Sequence, residues 1–317
     1  MKEKGIVLGI DTSNYTTSVA LMYEDGELIS NFKHPLTVRS GERGLRQSDA
    51  VFSHTVNIRS LMDDVRTVLG GRIPSAIGVS TRPRNIDGSY MPCFLSGFAV
   101  ANGISAATGS PLYCFSHQCG HIMAALYSSG KDVRFGERFA AYHVSGGTTE
   151  LLDVTRVKEG FSAELVGGTR DLKAGQLIDR IGVLMGLPFP SGSYIESLAK
   201  SYTGKRYCRK VPSDGSYFNL SGGENIAKKL YSDTADSALV ADFVLRYIAE
   251  AIDLSVSSFF DTVGNMPIVF AGGVMSNGII RNELEAKYDS YFAEPALSAD
   301  NAVGIAELAR KEHYCIE

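Results

Sequence analysis

The feature that most constrains the fold of this chain is a weak internal repeat. Residues 10–26 read IDTSNYTTSVALMYEDG, and residues 143–160 read HVSGGTTELLDVTRVKEG. Each copy contains an apolar strand, a small polar turn, a Thr-Thr pair, a second strand and an acidic residue followed by glycine. In the first copy we expect a β-hairpin with strands at Ile6–Ile10 and Thr17–Met22 and a turn at Asp11–Thr16. The repeat predicts two related lobes, each opening with a hairpin.

A third segment indicates what such lobes would bind. Residues 268–284, IVFAGGVMSNGIIRNEL, join an apolar strand to a double glycine and then to a helix that begins near Gly278, with Ser276 or Asn277 as its cap. A glycine turn that leads into a helix N-terminus suits a nucleotide. Two lobes whose hairpin turns face each other resemble the plan of the actin-like ATPases and sugar kinases, the ASKHA fold. In that plan the two turns hold the nucleotide phosphates through backbone N–H groups.

We therefore expect an α/β, two-lobed ASKHA fold with duplicated lobes. The 317 residues are enough for two lobes. We place the first lobe at residues 1–125 and the second at residues 126–297, and we expect a C-terminal helix within residues 298–317 to pack back on the first lobe. The spacing of apolar residues predicts amphipathic helices at Ser53–Leu69 and Leu239–Phe259.

Composition limits the location and the partners. The chain is 44% hydrophobic and 21% charged, as in globular proteins, and its net charge of −4 argues against binding nucleic acid through bulk positive charge. Five cysteines without a CxxC pair indicate reduced thiols. Asp11 interrupts the N-terminal apolar run too early for a signal peptide, and the apolar run Phe94–Thr108 is too short for a membrane span and is expected to be a buried helix. We expect a cytoplasmic protein with no membrane partner.

A local basic segment is nevertheless present. Ser201–Glu224 is rich in Tyr, Gly, Ser and basic residues, which predicts a long surface excursion. Its basic residues are interleaved with or preceded by tyrosines: Lys205, Arg206, Arg209 and Lys210, with Tyr202 and Tyr207. This pattern suits phosphate contact and base stacking on a nucleic acid, and it also fits a solvated charged loop.

Two of the six histidines lie four residues apart at the head of the apolar run SHQCGHIMAALY, residues 116–127. On a helix, His117 and His121 share one face and lie one turn apart. They therefore form either a metal-binding pair or two histidines that hydrogen-bond to neighbours on a partly buried helix. The fragment itself leaves both interpretations open.

Several motifs together resemble the TsaD family, also called Gcp or O-sialoglycoprotein endopeptidase-like, the tRNA N6-adenosine threonylcarbamoyltransferases. HQCGH resembles the HxxxH signature of that family, VSGGTTEL its VSGGHTQL, AGGVMSNGIIRNEL its AGGVAANxxLRxxL and ADNAVGIA its TDNAAMIA. GLRQSDAVFSHTVNI and AGQLIDRIGVLMGLPFPSG also align, the latter with AGEAFDKVAKLLGLxYPGG. The matches occur in order from about Gly5 to Leu308. HxxxH alone is a weak signal, whereas the ordered set is specific.

The resemblance implies a site, residue by residue. A divalent metal, iron or zinc, would be held by His117, His121 and Asp300. The site would also hold an adenine nucleotide (ATP, ADP or threonylcarbamoyl-AMP). Its phosphates would contact Ser145, Gly146, Gly147 and Thr148. Its ribose would contact Asp179 and Gly192, and its adenine would contact Gly273 and Asn277. In the first hairpin, Asp11 and Ser13 are the candidate catalytic residues. Two imidazoles and a carboxylate with open positions suit a working metal rather than a structural one.

The implied activity is metal-dependent transfer of a threonylcarbamoyl group from threonylcarbamoyl-AMP to N6 of the adenosine next to the tRNA anticodon. The implied partners are tRNA and TsaB-like and TsaE-like proteins. Because the acceptor amine is a poor nucleophile, electrophilic help at the phosphate or carbonyl oxygen would matter.

The chain departs from the family pattern in its first hairpin. The family reads ETSCDET where this chain reads DTSNYTT, so the two acids of the family turn are absent and Asn14, Tyr15 and Thr16 stand in that turn. Two alternatives therefore stay open beside an active transferase. One is a divergent ASKHA carbamoyltransferase or kinase that acts on a small molecule. The other is a noncatalytic subunit of the tRNA-modification complex.

Overall fold

The computed structural model describes residues 3–13, 16–36, 46–130, 136–158, 160–297 and 302–316. The chain divides into two compact units. The first unit comprises Met1–Gly130, Arg156–Ser162 and Leu297–Glu317, and the second comprises Lys131–Thr155 and Ala163–Ala296. Asp300, Asn14 and Tyr15, which the sequence analysis singled out, lie outside the described residues.

The first unit is built on a five-stranded sheet with four helices in its described part. The strands are β1 (Ile6–Ser13), β2 (Thr16–Tyr23), β3 (Leu28–Pro35), β4 (Ala76–Arg82) and β5 (Leu112–Ser116), and the helices are α1 (Gln47–Leu69), α2 (Phe94–Thr108), α3 (His117–Ser129) and α9 (Val303–Tyr314). The sheet order is β3-β2-β1-β4-β5. Strands β1, β2 and β3 are antiparallel, whereas β4 and β5 continue parallel to β1.

Alternation along the strands gives this sheet two apolar faces. Ile6, Leu8 and Ile10 point to one face, where they pack with apolar residues of α1 and α2. Ala20 and Met22 of β2 point to the other face, where they pack with α9. Burial on both faces explains why the first five residues of β1, Ile6–Ile10, are all apolar.

Helix α9 approaches the sheet closely because glycines leave room for it. A Cβ atom at Gly9 would lie 2.6 Å from the Ala302 carbonyl oxygen, and a Cβ at Gly78 would lie 2.6 Å from that of Ile305. Gly304 of α9 itself faces the backbone of α3 at Gly120, where no side chain fits. Larger residues at these positions would separate α9 from the sheet and from α3.

The second unit is built on a seven-stranded sheet of the order β12-β11-β6-β7-β8-β10-β9 among the residues described. Its strands are β6 (Arg138–Val144), β7 (Thr149–Val157), β8 (Gly160–Thr169), β9 (Ser213–Asp214), β10 (Tyr217–Phe218), β11 (Ile268–Ala271) and β12 (Ser290–Phe292). Its helices are α4 (Ala174–Leu184), α5 (Gly192–Ser201), α6 (Ser221–Thr234), α7 (Ser237–Val263) and α8 (Gly278–Glu285), with 3₁₀ turns at Gly273–Ser276 and Pro295–Leu297.

A large apolar cluster covers one face of the sheet in the second unit. Tyr142 of β6 and Phe270 of β11 stack with ring centroids 6.1 Å apart and are fully buried. Apolar residues of α4, α7 and α8 surround them, and α7 contributes the largest number of buried positions. The strand β11 runs parallel to β6, so the carboxyl ends of both strands lie at the same edge of the sheet.

The sequence predicted both hairpins, and the structure confirms them as the paired strands β1–β2 and β6–β7. One boundary was wrong. The expected turn at Asp11–Thr16 is mostly strand, since Asp11 pairs with Ser18 and Thr12 pairs with Thr17. The β-branched threonines favour extended backbone there and lengthen the ladder.

The two expected amphipathic helices are confirmed as parts of α1 and α7. Two other expectations need correction. Phe94–Thr108 is helical but only half buried, since Leu95 is 51% exposed. Ser201–Glu224 lies mostly on the surface, as predicted, but it is partly ordered into β9, β10 and the start of α6, and Val211 within it is fully buried. None of the helices in the described ranges is both long and apolar enough to cross a membrane.

Candidate active site

The two histidines lie at the start of α3. Ser116 caps this helix, since its Oγ accepts a hydrogen bond from the Cys119 N–H at 3.2 Å. His117 and His121 then follow on one face, and their ring centroids are 4.3 Å apart at an interplanar angle of 71°. The helical spacing thus brings the two imidazoles together, as the sequence predicted.

A buried carboxylate holds the first imidazole. Nδ1 of His117 lies 3.2 Å from Oδ2 of Asp11, which is fully buried at the end of β1. Ser13 donates its hydroxyl to the same oxygen at 2.6 Å, and Ser80 at the end of β4 donates to Oδ1. The parallel pairing of β1 with β4 brings Asp11 and Ser80 to neighbouring strand ends.

These contacts determine the charge of Asp11. Burial raises the pKa of this carboxyl group, but the charge and hydrogen bond of His117 and the hydroxyls of Ser13 and Ser80 outweigh burial, so the pKa of Asp11 is lowered. An ionised carboxylate only accepts hydrogen bonds, so Nδ1 of His117 must carry the proton. In a neutral imidazole whose proton is on Nδ1, Nε2 carries the electron pair that a metal ligand needs.

The residues present fit a divalent metal in their chemistry. Two imidazoles, one of them oriented by a carboxylate through its other nitrogen, are a donor arrangement typical of first-row metals. No group of three His, Cys, Asp or Glu side chains arranged to hold a metal occurs among the residues that the structure describes. The third expected ligand, Asp300, is not among them.

In the second unit, the hairpin turn at residues 145–148 is closed by its own serine. Ser145 Oγ accepts hydrogen bonds from the N–H groups of Gly147 at 3.2 Å and Thr148 at 3.1 Å. A Cβ atom at Gly146 or Gly147 would meet no other atom within 4 Å. The small residues therefore leave the outer side of this turn open to a ligand.

Helix α4 begins directly against this turn. The N–H of Gly175 donates to the Ser145 carbonyl at 3.2 Å, and a Cβ atom at Gly175 would lie 2.6 Å from the Gly146 nitrogen. The Ala174 N–H donates to Thr149 Oγ1 at 3.0 Å. Gly175 thus fixes the turn, although the sequence analysis did not single it out. Its proximity depends on how β7 and α4 pack, which no local pattern reveals.

The expected adenine-side residues lie at the end of β11. Gly272 has φ of +98°, and its Cα faces the Val144 carbonyl so closely that only glycine fits. Gly273 is open, since a Cβ there would meet nothing within 4 Å. Asn277, one of the two predicted caps, caps α8 by accepting the N–H groups of Ile279 and Ile280 at 3.0 and 3.2 Å. Because β11 and β6 are parallel neighbours, this segment and the 145–148 turn share one sheet edge.

The expected ribose-side residues are connected to the same region. Asp179 of α4 accepts the Ser191 N–H at 2.8 Å, one residue before Gly192 begins α5. Glu196 of α5 accepts the Gly278 N–H at the start of α8, at 3.0 Å. The structure therefore brings the expected nucleotide-contacting residues of this unit onto one connected set of elements.

Comparison with solved structures defines the fold. HypF from T. kodakarensis matches 98% of this chain over 48% of its own length, with a TM-score of 0.61 and 12% identity. A ROK family glucokinase from Streptomyces griseus, solved with glucose and AMPPNP, matches 97% of this chain and 100% of its own, with a TM-score of 0.52 and 15% identity. At these identities the likeness shows the fold, which is that of the actin-like ATPases and sugar kinases.

The family follows from the sequence itself. The model of the TsaD family, tRNA N6-adenosine threonylcarbamoyltransferase, matches residues 43–307, and the chain belongs to this family. A tRNA N6-adenosine threonylcarbamoyltransferase of Thermus thermophilus is 30% identical over 318 residues, which covers 97% of this chain and 93% of that protein. Its counterpart in Streptococcus suis is 29% identical over 331 residues, covering 99% of this chain and 94% of that protein.

Proposed function

We propose that the chain transfers a threonylcarbamoyl group from threonylcarbamoyl-AMP to N6 of the adenosine next to the tRNA anticodon, with a divalent metal at His117 and His121. Membership of the TsaD family supports a tRNA-modifying transferase. The observation that carries the metal-dependent form is the contact of His117 with the buried, ionised Asp11. A carboxylate that accepts from one ring nitrogen commonly orients a metal-ligating histidine.

The reaction forms a bond between N6 and the carbamoyl carbon and breaks the bond between that carbon and the phosphate oxygen. AMP leaves with the electron pair, and N6 loses one proton. A bound divalent metal would supply charge stabilisation at the phosphate or carbonyl oxygen. His117 and His121 would hold it, with Asp300 as the third ligand.

We assign Asp11 and Ser13 a positioning role. Both side chains are buried, with exposed fractions of 0% and 1%, so neither presents a surface to a substrate. Ser13 and Ser80 orient the carboxylate of Asp11, which in turn orients His117. The first hairpin therefore acts on the reaction through the imidazole.

We assign the donor nucleotide to the second unit. The open glycines of the 145–148 turn would admit phosphate oxygens, Asp179 and Gly192 would contact the ribose, and Gly273 would lie beside the adenine. Asn277 would keep its amide nitrogen for the base, because its oxygen already caps α8. A cytoplasmic location and TsaB-like and TsaE-like partners would suit a tRNA substrate.

A second candidate is an ASKHA carbamoyltransferase or kinase that acts on a small molecule. The rewritten turn DTSNYTT, which lacks both acids of the family turn, favours it. This candidate predicts turnover of the nucleotide without tRNA. A noncatalytic role in the modification complex predicts neither turnover nor a need for His117.

The test is a transfer assay with purified protein, synthetic threonylcarbamoyl-AMP and unmodified tRNA, with and without TsaB-like and TsaE-like proteins. Nucleosides are read by mass spectrometry, and metal content is measured on the same samples. We expect product from the wild type, and loss of both metal and product in His117→Ala. The matched control is His34→Ala, an exposed histidine of β3. Metal that stays bound in His117→Ala would refute the metal assignment, and AMP release without tRNA modification would favour the small-molecule enzyme.

A further inference from the structure

We propose that the basic segment, residues 202–210, binds the phosphate backbone of the RNA acceptor. The segment joins α5 to β9 in the second unit, and its residues are none of those assigned above to the metal or the nucleotide. The inference rests on the proposed function, because the RNA is the acceptor named there.

The charge of the basic segment is concentrated and largely uncompensated. Its sequence, YTGKRYCRK, holds four basic residues and no acidic one, a local charge of +4 within a chain of net charge −4. All four basic residues are exposed. Lys205 and Lys210 form no ion pair with any residue in the described ranges. The ion pair of Arg206 is long, since its nitrogen lies 3.7 Å from the Glu283 carboxylate. Exposed cations without acidic partners are the usual contacts of RNA phosphates.

The tyrosines fix the backbone of this segment. The ring of Tyr207 packs edge-on against Phe243, with centroids 5.5 Å apart, and the Arg209 guanidinium lies 4.3 Å from the Tyr207 centroid. The Tyr202 hydroxyl donates to the Lys205 carbonyl at 2.8 Å. Val211, the next residue after the segment, is fully buried. The segment is irregular but anchored, which reduces the entropy lost when a partner binds.

The contacts of Tyr207 favour binding to the phosphate backbone over stacking on a base. The sequence alone allowed base stacking, but the Tyr207 ring is already covered by Phe243 on one side and Arg209 on another. The basic segment therefore suits backbone contact that is independent of base sequence. A lipid surface is less well matched, because interfacial binding needs apolar side chains that are free to insert beside the cations.

The experiment measures the affinity of the protein for unmodified tRNA by fluorescence anisotropy at several salt concentrations. The variant Lys205→Ala/Lys210→Ala removes two exposed cations that have no side-chain partner in the described structure. The matched control, Arg59→Ala/Lys229→Ala, removes two exposed cations from α1 and α6. Each lost phosphate contact lowers the slope of log affinity against log salt by about 0.7 to 0.9. Anionic phospholipid vesicles serve as a second probe.

We expect the magnitude of the slope to be smaller by about 1.4 to 1.8 in the variant. If variant and wild type bind equally at ~1 M salt, this difference makes the variant about 25- to 60-fold weaker than the wild type at ~0.1 M salt. The control should keep the wild-type slope. An unchanged slope in the variant would overturn the inference, as would a loss of vesicle binding with no change for tRNA. Product analysis separates this from the proposed function. If the wild type makes product but the variant keeps the wild-type slope, only the role of the basic segment is refuted. If the variant has a smaller slope but the wild type makes no product, only the transfer reaction is refuted.

Discussion

Replacing Asp11 by asparagine removes one negative charge from a fully buried position and barely changes the side-chain volume. The carboxylate accepts from three donors: Nδ1 of His117, the Ser13 hydroxyl and the Ser80 hydroxyl. An asparagine keeps one acceptor oxygen and presents an NH₂ group on its other side. The serine hydroxyls can rotate to accept from that group. Where the NH₂ group faces Nδ1, the imidazole shifts its proton to Nε2, and a metal must displace that proton in order to bind.

The expected loss of metal affinity follows from these changed hydrogen bonds. The metal keeps its ligands but loses the carboxylate that orients His117 and makes its imidazole more basic. Loss of a carboxylate that orients a ligating histidine costs about 10- to 100-fold in metal affinity. At 1.4 kcal/mol per factor of ten, this is about 1.4 to 2.8 kcal/mol. We expect the fold to survive, since the polar groups around the substituted side chain can rearrange.

The assay is a competitive titration of the apoprotein with zinc or iron and a chromophoric chelator, at a pH near 7. The matched control is Asp64→Asn, which removes the same charge from an exposed position on α1. Nitrogen-15 shifts of the histidine ring report the position of the His117 proton independently of activity. A folded Asp11→Asn protein whose metal affinity stays within about twofold of the wild type would refute the reasoning.

Three further predictions concern the scaffold. Asp171 accepts the N–H groups of Leu220 and Ser221; burial opposes its ionisation, but the Ser221 and backbone hydrogen bonds lower its pKa. Asp171→Asn should therefore lower the free energy of unfolding at neutral pH by about 0.5 to 1 kcal/mol, because the residue is exposed and solvent screens its charge. The difference from wild type should vanish as pH falls through the lowered pKa; urea titrations against the control Asp233→Asn would contradict this if the difference persisted in acid. Gly175→Ala should displace the 145–148 turn and weaken binding of an adenine nucleotide, measured by calorimetry, because its Cβ would lie 2.6 Å from the Gly146 nitrogen; unchanged affinity would be the contrary result. Gly304→Ala should lower the free energy of unfolding by about 1 to 3 kcal/mol or more through overpacking against α3, whereas Gly103→Ala, in open space on α2, should raise it by about 0.5 to 1 kcal/mol. Equal melting temperatures for the two variants would contradict this explanation of how α9 packs.

Local patterns predicted much of the fold. Alternation around two small polar turns predicted the β1–β2 and β6–β7 hairpins, and the apolar spacing predicted α1 and α7. The spacing of His117 and His121 predicted their shared helix face. Ser276 or Asn277 was predicted as a helix cap because both residues follow a glycine turn and precede a helix, and the structure shows that Asn277 is the cap. Each of these signals lies within a few residues of the structure that it specifies.

Other parts of the site depend on long-range packing. Ser80 contacts Asp11 across 69 positions of sequence, and the contact exists because β4 pairs parallel to β1. The sequence gives no local sign of this pairing. The contact of Gly175 with the turn at residues 145–148 is likewise set by the packing of α4. At the start of β2 a local pattern was misleading: small polar residues suggested a turn, whereas β-branched threonines extend the strand pairing.

The measurement that tests the account most directly follows a carbon-13 label from the carbamoyl group of synthetic threonylcarbamoyl-AMP. The protein, the labelled donor and unmodified tRNA are incubated with TsaB-like and TsaE-like proteins, the tRNA is digested with ribonuclease, and the fragments are analysed by mass spectrometry. The account predicts the label on the adenosine next to the anticodon, and its absence when His117 is replaced by alanine. Release of AMP with the label recovered only in small molecules would contradict it.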